Sequence, residues 1–537
     1  MEYEVVSMLA LGMLVLGMLV RMKVMEGRQQ LPPGPRCWPV VGNMLQLGWS
    51  PHESFAKLAH KHGPIMRLWL GSMCTVVISS SQVAGEMFKK HDAVLAGRKI
   101  YEAMKGNHGS EGSLVTSQYN SHWRMLRRLC TSEFFVTSRL DAMRGVREKC
   151  IHRMLRLIEE AGESGTRAVD VRRFFFLMDF NLIGNLVFST DLLESETERG
   201  DRFYYHALKV MEYAGKPNMA DFLPFLKWFD PQGIRRKTQF HVNQAFDIAG
   251  SFIKERMEKS HGGSKETKDY LDVLLAFRGD STTQPYTFSS RTINVIIFVS
   301  PSTVGFASYK LYSLENFLNI WFGWLQEMFT AGTDTTTSTI EWTMAELLHN
   351  PRTLKKVQME LRNKIGPGRN MEEKDMENLP YLQAVIKETL RLHPPLPLMV
   401  PHMAMESCNM LGYDIPKESQ ILVNVWAIGR DYKVWDAPLL FWPERFLEPN
   451  TVVDYKGRHF EFIPFGSGRR MCPAMPLASR VLTLALGSLL HSFDWVLPDG
   501  LKPEEMDMTE GLGITLRKAI PLKVIPVPYR GATAANE

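Results

Sequence analysis

One of the six cysteines stands in a frame unlike the others: Phe465-Gly466-Ser467-Gly468-Arg469-Arg470-Met471-Cys472-Pro473-Ala474. Its glycines let the backbone turn tightly, Arg470 can reach an anionic group, and backbone N–H groups beside Cys472 can hold the sulfur negative. A cysteine beside a glycine turn is ordinarily a small buried hydrophobe; the surrounding pattern points instead to a thiolate metal ligand. Three further groups offer chemistry. In Ala331-Gly332-Thr333-Asp334-Thr335-Thr336 an acid, Asp334, and an alcohol, Thr335, lie side by side, as general-acid proton transfer requires, although a Thr-rich stretch alone is more often a weak helix. Glu388 and Arg391 are neighbours on one helix face, an arrangement that by itself is usually a solvated ion pair. Trp123 and Arg127 stand one helical turn apart in a basic stretch that would otherwise be an ordinary surface helix.

The frame Phe-x-x-Gly-x-Arg-x-Cys-x-Gly, met at Phe465, Gly468, Arg470 and Cys472 with Ala474 in the last place, resembles the signature of the cytochrome P450 superfamily. The resemblance recurs along most of the chain. It implies a haem (iron protoporphyrin IX) with the Cys472 thiolate as axial metal ligand, which favours cleavage of the O–O bond of bound dioxygen. It implies that Arg127 and Arg470 bind haem propionates with Trp123 packed nearby, and that His402, where arginine is common, is another propionate partner, donating fully only when protonated. Ala331 falls in the oxygen-side helix crossing the haem. There Thr335 back-bonds to the carbonyl one turn earlier, Gly332 tolerates an opening of the helix, and Asp334 and Thr335 relay the protons that dioxygen cleavage consumes. Glu388 and Arg391 combine with Arg445, from Phe441-Trp442-Pro443-Glu444-Arg445-Phe446, into a buried cluster that holds the haem loop without doing chemistry. The family's recognition loops fall at Tyr101, Met104, Leu396, Leu398, Met399, Leu512 and Ile514, a mixed aliphatic pocket of broad acceptance, since one methylene discriminates by only about 1–3 kcal/mol. The wording around Phe329–Thr336 and Leu379–Ala384 is similar to plant microsomal members, above all the geraniol hydroxylase-like branch that oxidises monoterpenoids.

A large scaffold must position these groups. With 537 residues, 45% of them hydrophobic and no visible repeat, the chain has material for one catalytic domain over 37–530. Helical periodicity dominates the middle, including Leu382 to Leu392, and short β-like runs at Thr75 to Ile78 and Ile421 to Val425 flank it. The expected fold is mainly α with small β-sheets, the cytochrome P450 fold. Polar interruptions are short, at 261–268, 279–283 and 366–370. A net charge of +5 is too modest to argue for nucleic acid, and the cysteines form no zinc-like cluster or secreted disulfide framework, which fits a reducing compartment. No Gly-x-Gly-x-x-Gly follows a strand, so electrons come from another protein. By resemblance this partner is a membrane-bound NADPH-cytochrome P450 reductase, whose acidic flavin domain would meet Arg124, Arg128 and Lys433 on the thiolate side; the other partners are O2 and a lipophilic small molecule.

The chain carries no charge from Val5 to Val20, then Arg21, Lys23 and Arg28, and then Pro32-Pro33-Gly34-Pro35. This predicts an anchor helix over 1–25 and a basic, Pro-rich hinge over 26–36, with the catalytic domain kept on the cytosolic side of the endoplasmic reticulum membrane. Between Phe298 and Glu327 lie twenty-eight residues, 299–326, that family members do not carry; closing the gap restores a continuous family-like helix. Two readings of it stand together. Valine codons begin with GT, one glutamine codon ends in AG, and the segment is rich in Phe, Tyr, Trp and Asn, as a translated intron would be. Alternatively Ser313 caps a helix in which Leu314, Phe317, Leu318, Trp321 and Leu325 form an apolar stripe leading into Glu327, while Phe298 to Tyr312 loops out. Two rival functions remain open: an impaired or inactive isoform, and a haem-thiolate enzyme that rearranges peroxides without a reductase.

Overall fold

Helix starts follow local chemistry throughout residues 30–99, 101–102, 114–193, 198–260, 269–270, 272, 312–448 and 453–529, which this computed structural model describes. Proline opens α1 (Pro51–His62), where its missing N–H costs nothing. Side-chain oxygens cap the next two: Ser80 accepts from Val83 N before α2 (Ser81–Lys90), and Asn120 accepts from Trp123 N before α3 (Ser121–Leu129). After α4 (Arg144–Ala161), Asp170 caps α5 (Val171–Phe188), which is apolar on almost every side and therefore runs through the core. Then come α6 (Glu198–Ala214), α7 (Ile234–Ser260), the 38-residue α8 (Tyr312–His349), α9 (Pro351–Ile365), α10 (Pro380–Leu392) and α11 (Met475–Ser492). One large apolar core gathers residues of α4, α5, α8, α9, α10 and α11. Gly332 of α8 faces α5, where a Cβ would lie 2.7 Å from the flexible end of Ile183, its Cδ1.

The strands are short: β1 (Ile65–Leu70), β2 (Met73–Ile78), β3 (Gly97–Arg98), β4 (Val169–Asp170), β5 (His402–Met403), β6 (Cys408–Met410), β7 (Tyr413–Ile415), β8 (Gln420–Val423), β9 (Phe493–Val496), β10 (Glu510–Leu512), β11 (Leu516–Lys518) and β12 (Lys523–Pro528). The largest sheet runs β1-β2-β8-β5-β3, antiparallel except for the parallel pair β2/β8. The architecture is the expected one, mainly helical with small sheets. The strand expected over Ile421 to Val425 ends early, because Asn424 turns its side chain onto Ala427 N and starts a helical turn at Val425. The run from Leu382 to Leu392 is helical as expected, within α10.

Ahead of α1 the chain is strapped to the sheets. Gln30 and Asp414 exchange hydrogen bonds of 3.1 and 2.8 Å, Arg67 N donates to Pro33 O at 2.8 Å, and Asn43 pairs with Trp69 through N–H···O at 2.6 Å and its own Oδ1 at 2.8 Å. Gly34 and Gly42 permit this, since a Cβ on either would lie about 2 Å from a carbonyl oxygen of β1. The anchor expected over 1–25 lies outside the described residues, as do Met104 and the interruptions at 261–268 and 279–283. Among the described residues no helix is long and apolar enough to cross a membrane. The inserted segment enters α8 as helix from Tyr312, so Ser313, expected as the cap, falls inside the helix, which continues unbroken into Glu327; 299–311 lie outside the described residues.

Candidate functional site

Left-handed backbone at Gly466 (φ 75°) and Gly468 (φ 65°) folds the 465–474 segment into a tight loop, closed by Cys472 N donating to Phe465 O at 2.9 Å. Arg469 fastens it from outside through Asp92, which accepts from both its backbone N–H and Nη1. Cys472 sits just before α11, where the helix N-terminus favours an anion. Burial pushes its thiol up, while N–H groups of Ala474 and Met475 and the nearby Arg127 pull it down. The sulfur is thus deep in the molecule, yet Cys472 keeps accessible surface, as a residue lining an internal slot does. Ala474, which departs from the family's glycine, has φ −89° and ψ 8°, a conformation open to any residue, so its methyl group is accommodated.

Cations converge beside this loop. Arg470 stacks on Trp123 at 4.3 Å and donates to Ala96 O, Leu114 O and Ser117 O. Trp123 Nε1 donates to the same Leu114 carbonyl at 2.9 Å. Arg127, one turn along α3, is half-buried, its guanidinium has no hydrogen-bond or ion-pair partner among the described residues, and burial lowers its pKa. Arg98, which the sequence patterns missed, is buried on β3 opposite His402 of β5. Its guanidinium donates to Val115 O, Val400 O and Pro401 O, and burial together with Arg470 lowers its pKa to about 9. His402 donates Nδ1–H to Leu95 O at 2.8 Å, and burial with Arg98 and Arg470 holds its pKa well below the ordinary range, so the ring is neutral. Burying like charges side by side is costly without an anion among them. A flat group carrying two carboxylates, with a metal over Cys472, fits this donor set. Arg98 left no local signal in the sequence, because its partners are spread over three hundred positions.

The other wall is α8. Ala331 is exposed and Asp334 and Thr335 are half-buried, while Ile340, Glu341 and Trp342 farther along are inaccessible. Thr335 Oγ1 donates to Ala331 O at 2.6 Å, the expected back-bond, and Thr336 and Thr339 repeat it at 2.8 Å. The expected opening of the helix beside Gly332 is not present: α8 stays α-helical through the motif, because each hydroxyl shares its carbonyl without displacing the backbone ladder. Asp334 Oδ2 accepts from Thr515 Oγ1, a partner the sequence did not suggest. Met328 of α8 and Phe465, Ala474 and Leu477 of the cysteine loop and α11 rest on the same core, which brings the two walls together.

Glu388, Arg391 and Arg445 meet as expected and are buried. Glu388 Oε1 accepts from Arg391 Nη2 (2.6 Å), Arg445 Nε (3.1 Å) and Trp442 N (2.8 Å), and its Oε2 from Arg391 Nε (2.7 Å). The remaining guanidinium hydrogens reach carbonyls of Gly429, Asp436, Ala437, Pro438 and Leu440, which pins the long connection 429–445. The expected substrate residues are scattered more widely. Leu396 and Ile514 lie in segments joined by Leu516 N donating to Pro395 O at 2.8 Å. Leu398 packs on the core beneath α1 and β1, Met399 on the core of the main sheet, Tyr101 OH is bound by Gln420 Nε2, and Leu512 is exposed.

The sequence profile described as Cytochrome P450 matches residues 32–300 and 324–524, its interruption falling within 299–326. An iridoid oxidase of Catharanthus roseus is 44% identical over 501 residues, 92% of each chain. Geraniol 8-hydroxylase of the same plant is 42% identical over 498 residues, 93% of this chain and 94% of its own. A zebrafish cytochrome P450 solved with abiraterone superposes with a TM-score of 0.67 at 26% identity, covering 89% of this chain and 100% of that one. A cysteine loop with its cations, a threonine-lined helix wall and similarity along nearly the whole length agree: the chain belongs to the cytochrome P450 family of haem-thiolate monooxygenases.

Proposed function

We propose that this enzyme inserts one atom of O2 into a small lipophilic terpenoid, with electrons from an NADPH-cytochrome P450 reductase. The observation that carries the reading is the Cys472 sulfur at the start of α11, facing two N–H groups and Arg127. Haem, held there by Cys472, supplies the activation of dioxygen. Arg127, Arg470 and Arg98 would neutralise its carboxylates, Trp123 supports Arg470, the neutral His402 lies among these cations, and Ala331 keeps the α8 wall open. Thr335 and Asp334 carry protons from solvent to the reacting oxygen. Glu388, Arg391 and Arg445 hold the frame in which the cysteine loop closes. Leu396 and Ile514 are the best-supported substrate contacts. The terpenoid reading rests on the relatives named for iridoid and geraniol oxidation.

Reductase docking falls to the thiolate side. On α3, Trp123 and Arg127 turn inward while Arg124 and Arg128 are exposed, and Lys433 is exposed as well. Residues 1–25 anchor the protein in the endoplasmic reticulum membrane, catalytic domain in the cytosol. A second reading, an isoform impaired by 299–326, is favoured by one observation: the family match lapses over 301–323.

The test pairs two variants. Cys472→Ser abolishes the thiolate-type Soret band of the ferrous CO complex; a retained band removes Cys472 as ligand. Thr335→Ala keeps that band but diverts NADPH into hydrogen peroxide, and unchanged coupling removes Thr335 from the mechanism.

A further inference from the structure

Thr515 lies at the tip of the β10–β11 hairpin, buried to 1% exposure, and donates Oγ1–H to Asp334 Oδ2 from a position 181 residues away. The other carboxylate oxygen, Oδ1, has no hydrogen-bond partner among the described residues, and Asp334 is half-buried. The hairpin itself cannot drift. Ser338 Oγ and Trp342 Nε1, both on α8, donate to Leu516 O at 2.7 and 3.2 Å, and Leu516 N donates to Pro395 O. At its root Glu510 bonds His52 Nε2 at 3.1 Å, Trp426 Nε1 at 3.1 Å and His393 Nδ1 at 3.3 Å. Against the tip stands the end of α6, so close that a Cβ on Gly215 would lie 2.5 Å from Ile514 N.

We infer that Thr515 is a positioning residue for proton delivery. It fixes one oxygen of Asp334 and leaves the other turned to the slot, where a water can pass a proton to Thr335 while Asp334 takes one back from solvent, so no charge accumulates. A carboxylate that has lost this donor turns between rotamers, so its free oxygen no longer faces Thr335 in one fixed direction. Ile514 immediately precedes Thr515, so a substrate contact and the orientation of the acid are carried by adjacent residues of one pinned hairpin. The inference rests on the relay role proposed for Asp334 and Thr335.

The experiment compares Thr515→Val, Thr515→Ser and Asp334→Asn in the full-length haem protein, reconstituted with reductase and with geraniol as probe substrate. Thr515→Val is expected to lower product formed per NADPH about fivefold, the worth of one net hydrogen bond, with hydrogen peroxide rising to match. Haem content and the CO spectrum stay as in the parent. Thr515→Ser restores the donor and most of the coupling. Asp334→Asn uncouples more deeply. Parental coupling in Thr515→Val, alongside an uncoupled Asp334→Asn, overturns the role of Thr515 alone. Parental coupling in Asp334→Asn overturns the relay beneath it. Haem loss in both Thr515 variants overturns the inference in favour of a packing role.

Discussion

Replacing Glu388 by glutamine tests how the cysteine loop is held. The side chain keeps its shape, and with its carbonyl at the Oε1 place it still accepts from Trp442 N, Arg445 Nε and Arg391 Nη2. The amide nitrogen then faces Arg391 Nε, 2.7 Å from the old Oε2, so donor meets donor and two buried guanidinium groups lose their counter-charge. Stripping a buried ion pair of one partner costs about 3–5 kcal/mol. At about 2.1 cal/mol/K of unfolding entropy per residue, a chain of this size loses about 1 kcal/mol per degree. Glu388→Gln should therefore unfold about 3–5 °C below the parent when loss of the Soret band is followed on heating. Adding Arg445→Leu removes one stranded cation, and the double variant should be less damaged than the sum of the singles by about 1 kcal/mol or more. A midpoint within about a degree of the parent, or strict additivity, would refute the account of this cluster as an electrostatic unit.

Three further outcomes are expected. His206 and His241 share a 2.9 Å Nδ1···Nδ1 hydrogen bond between α6 and α7, and burial lowers both pKa values, helped at His206 by His241 and Arg202 and at His241 by Lys209, which Glu212 opposes. The unfolded chain then binds protons near pH 6.5 more readily than the folded helices do, so stability is present above that pH and lost as pH falls below it; amide protection factors in α6 and α7, with the intrinsic exchange rate divided out, should fall between pH 7.5 and 5.5 (about two units spanning the ordinary histidine range), and less so in His206→Phe. Gly429→Ala places a Cβ 2.5 Å from the main-chain oxygen of Arg391 and should cost about 1–3 kcal/mol in thermal or urea unfolding, whereas Gly332→Ala meets only the flexible end of Ile183 and should fall near neutral. Removing 299–326 should raise haem incorporation and turnover measured side by side with the full chain; equal or better turnover by the full chain marks the segment as a genuine part of the enzyme.

What could be read from the sequence was whatever is written locally. The cysteine frame closes into a loop and Glu388 meets Arg391 as their spacing implies, whereas Trp123 takes Arg470 and not Arg127 on its ring face. Ser80, Asn120 and Asp170 announce helix starts through their own side chains. Contacts made across the fold had no such signal. Thr515 reaches Asp334, and Arg98 joins Arg470, only because hairpin and strand are folded onto them. Leu398 and Met399 show a related limit: an apolar residue in a recognition segment has two faces to choose from, and here each rests on a sheet core while keeping part of its surface accessible.

The strap from Gln30 to Asn43 has a mechanical consequence. Secured at Asp414, Arg67 and Trp69, it leaves no slack between residue 30 and the sheet, so it works as a rigid lever and not as a leash. Whatever holds the chain upstream thereby sets the tilt of the whole catalytic body, and with it the direction from which a molecule reaches the slot. A shortened version cut before Gln30 keeps the lever seated. One cut beyond Asn43 strips three β1-edge hydrogen bonds, that of Pro33 to Arg67 and the two between Asn43 and Trp69, and lets the sheet that carries His402 fray from its first strand.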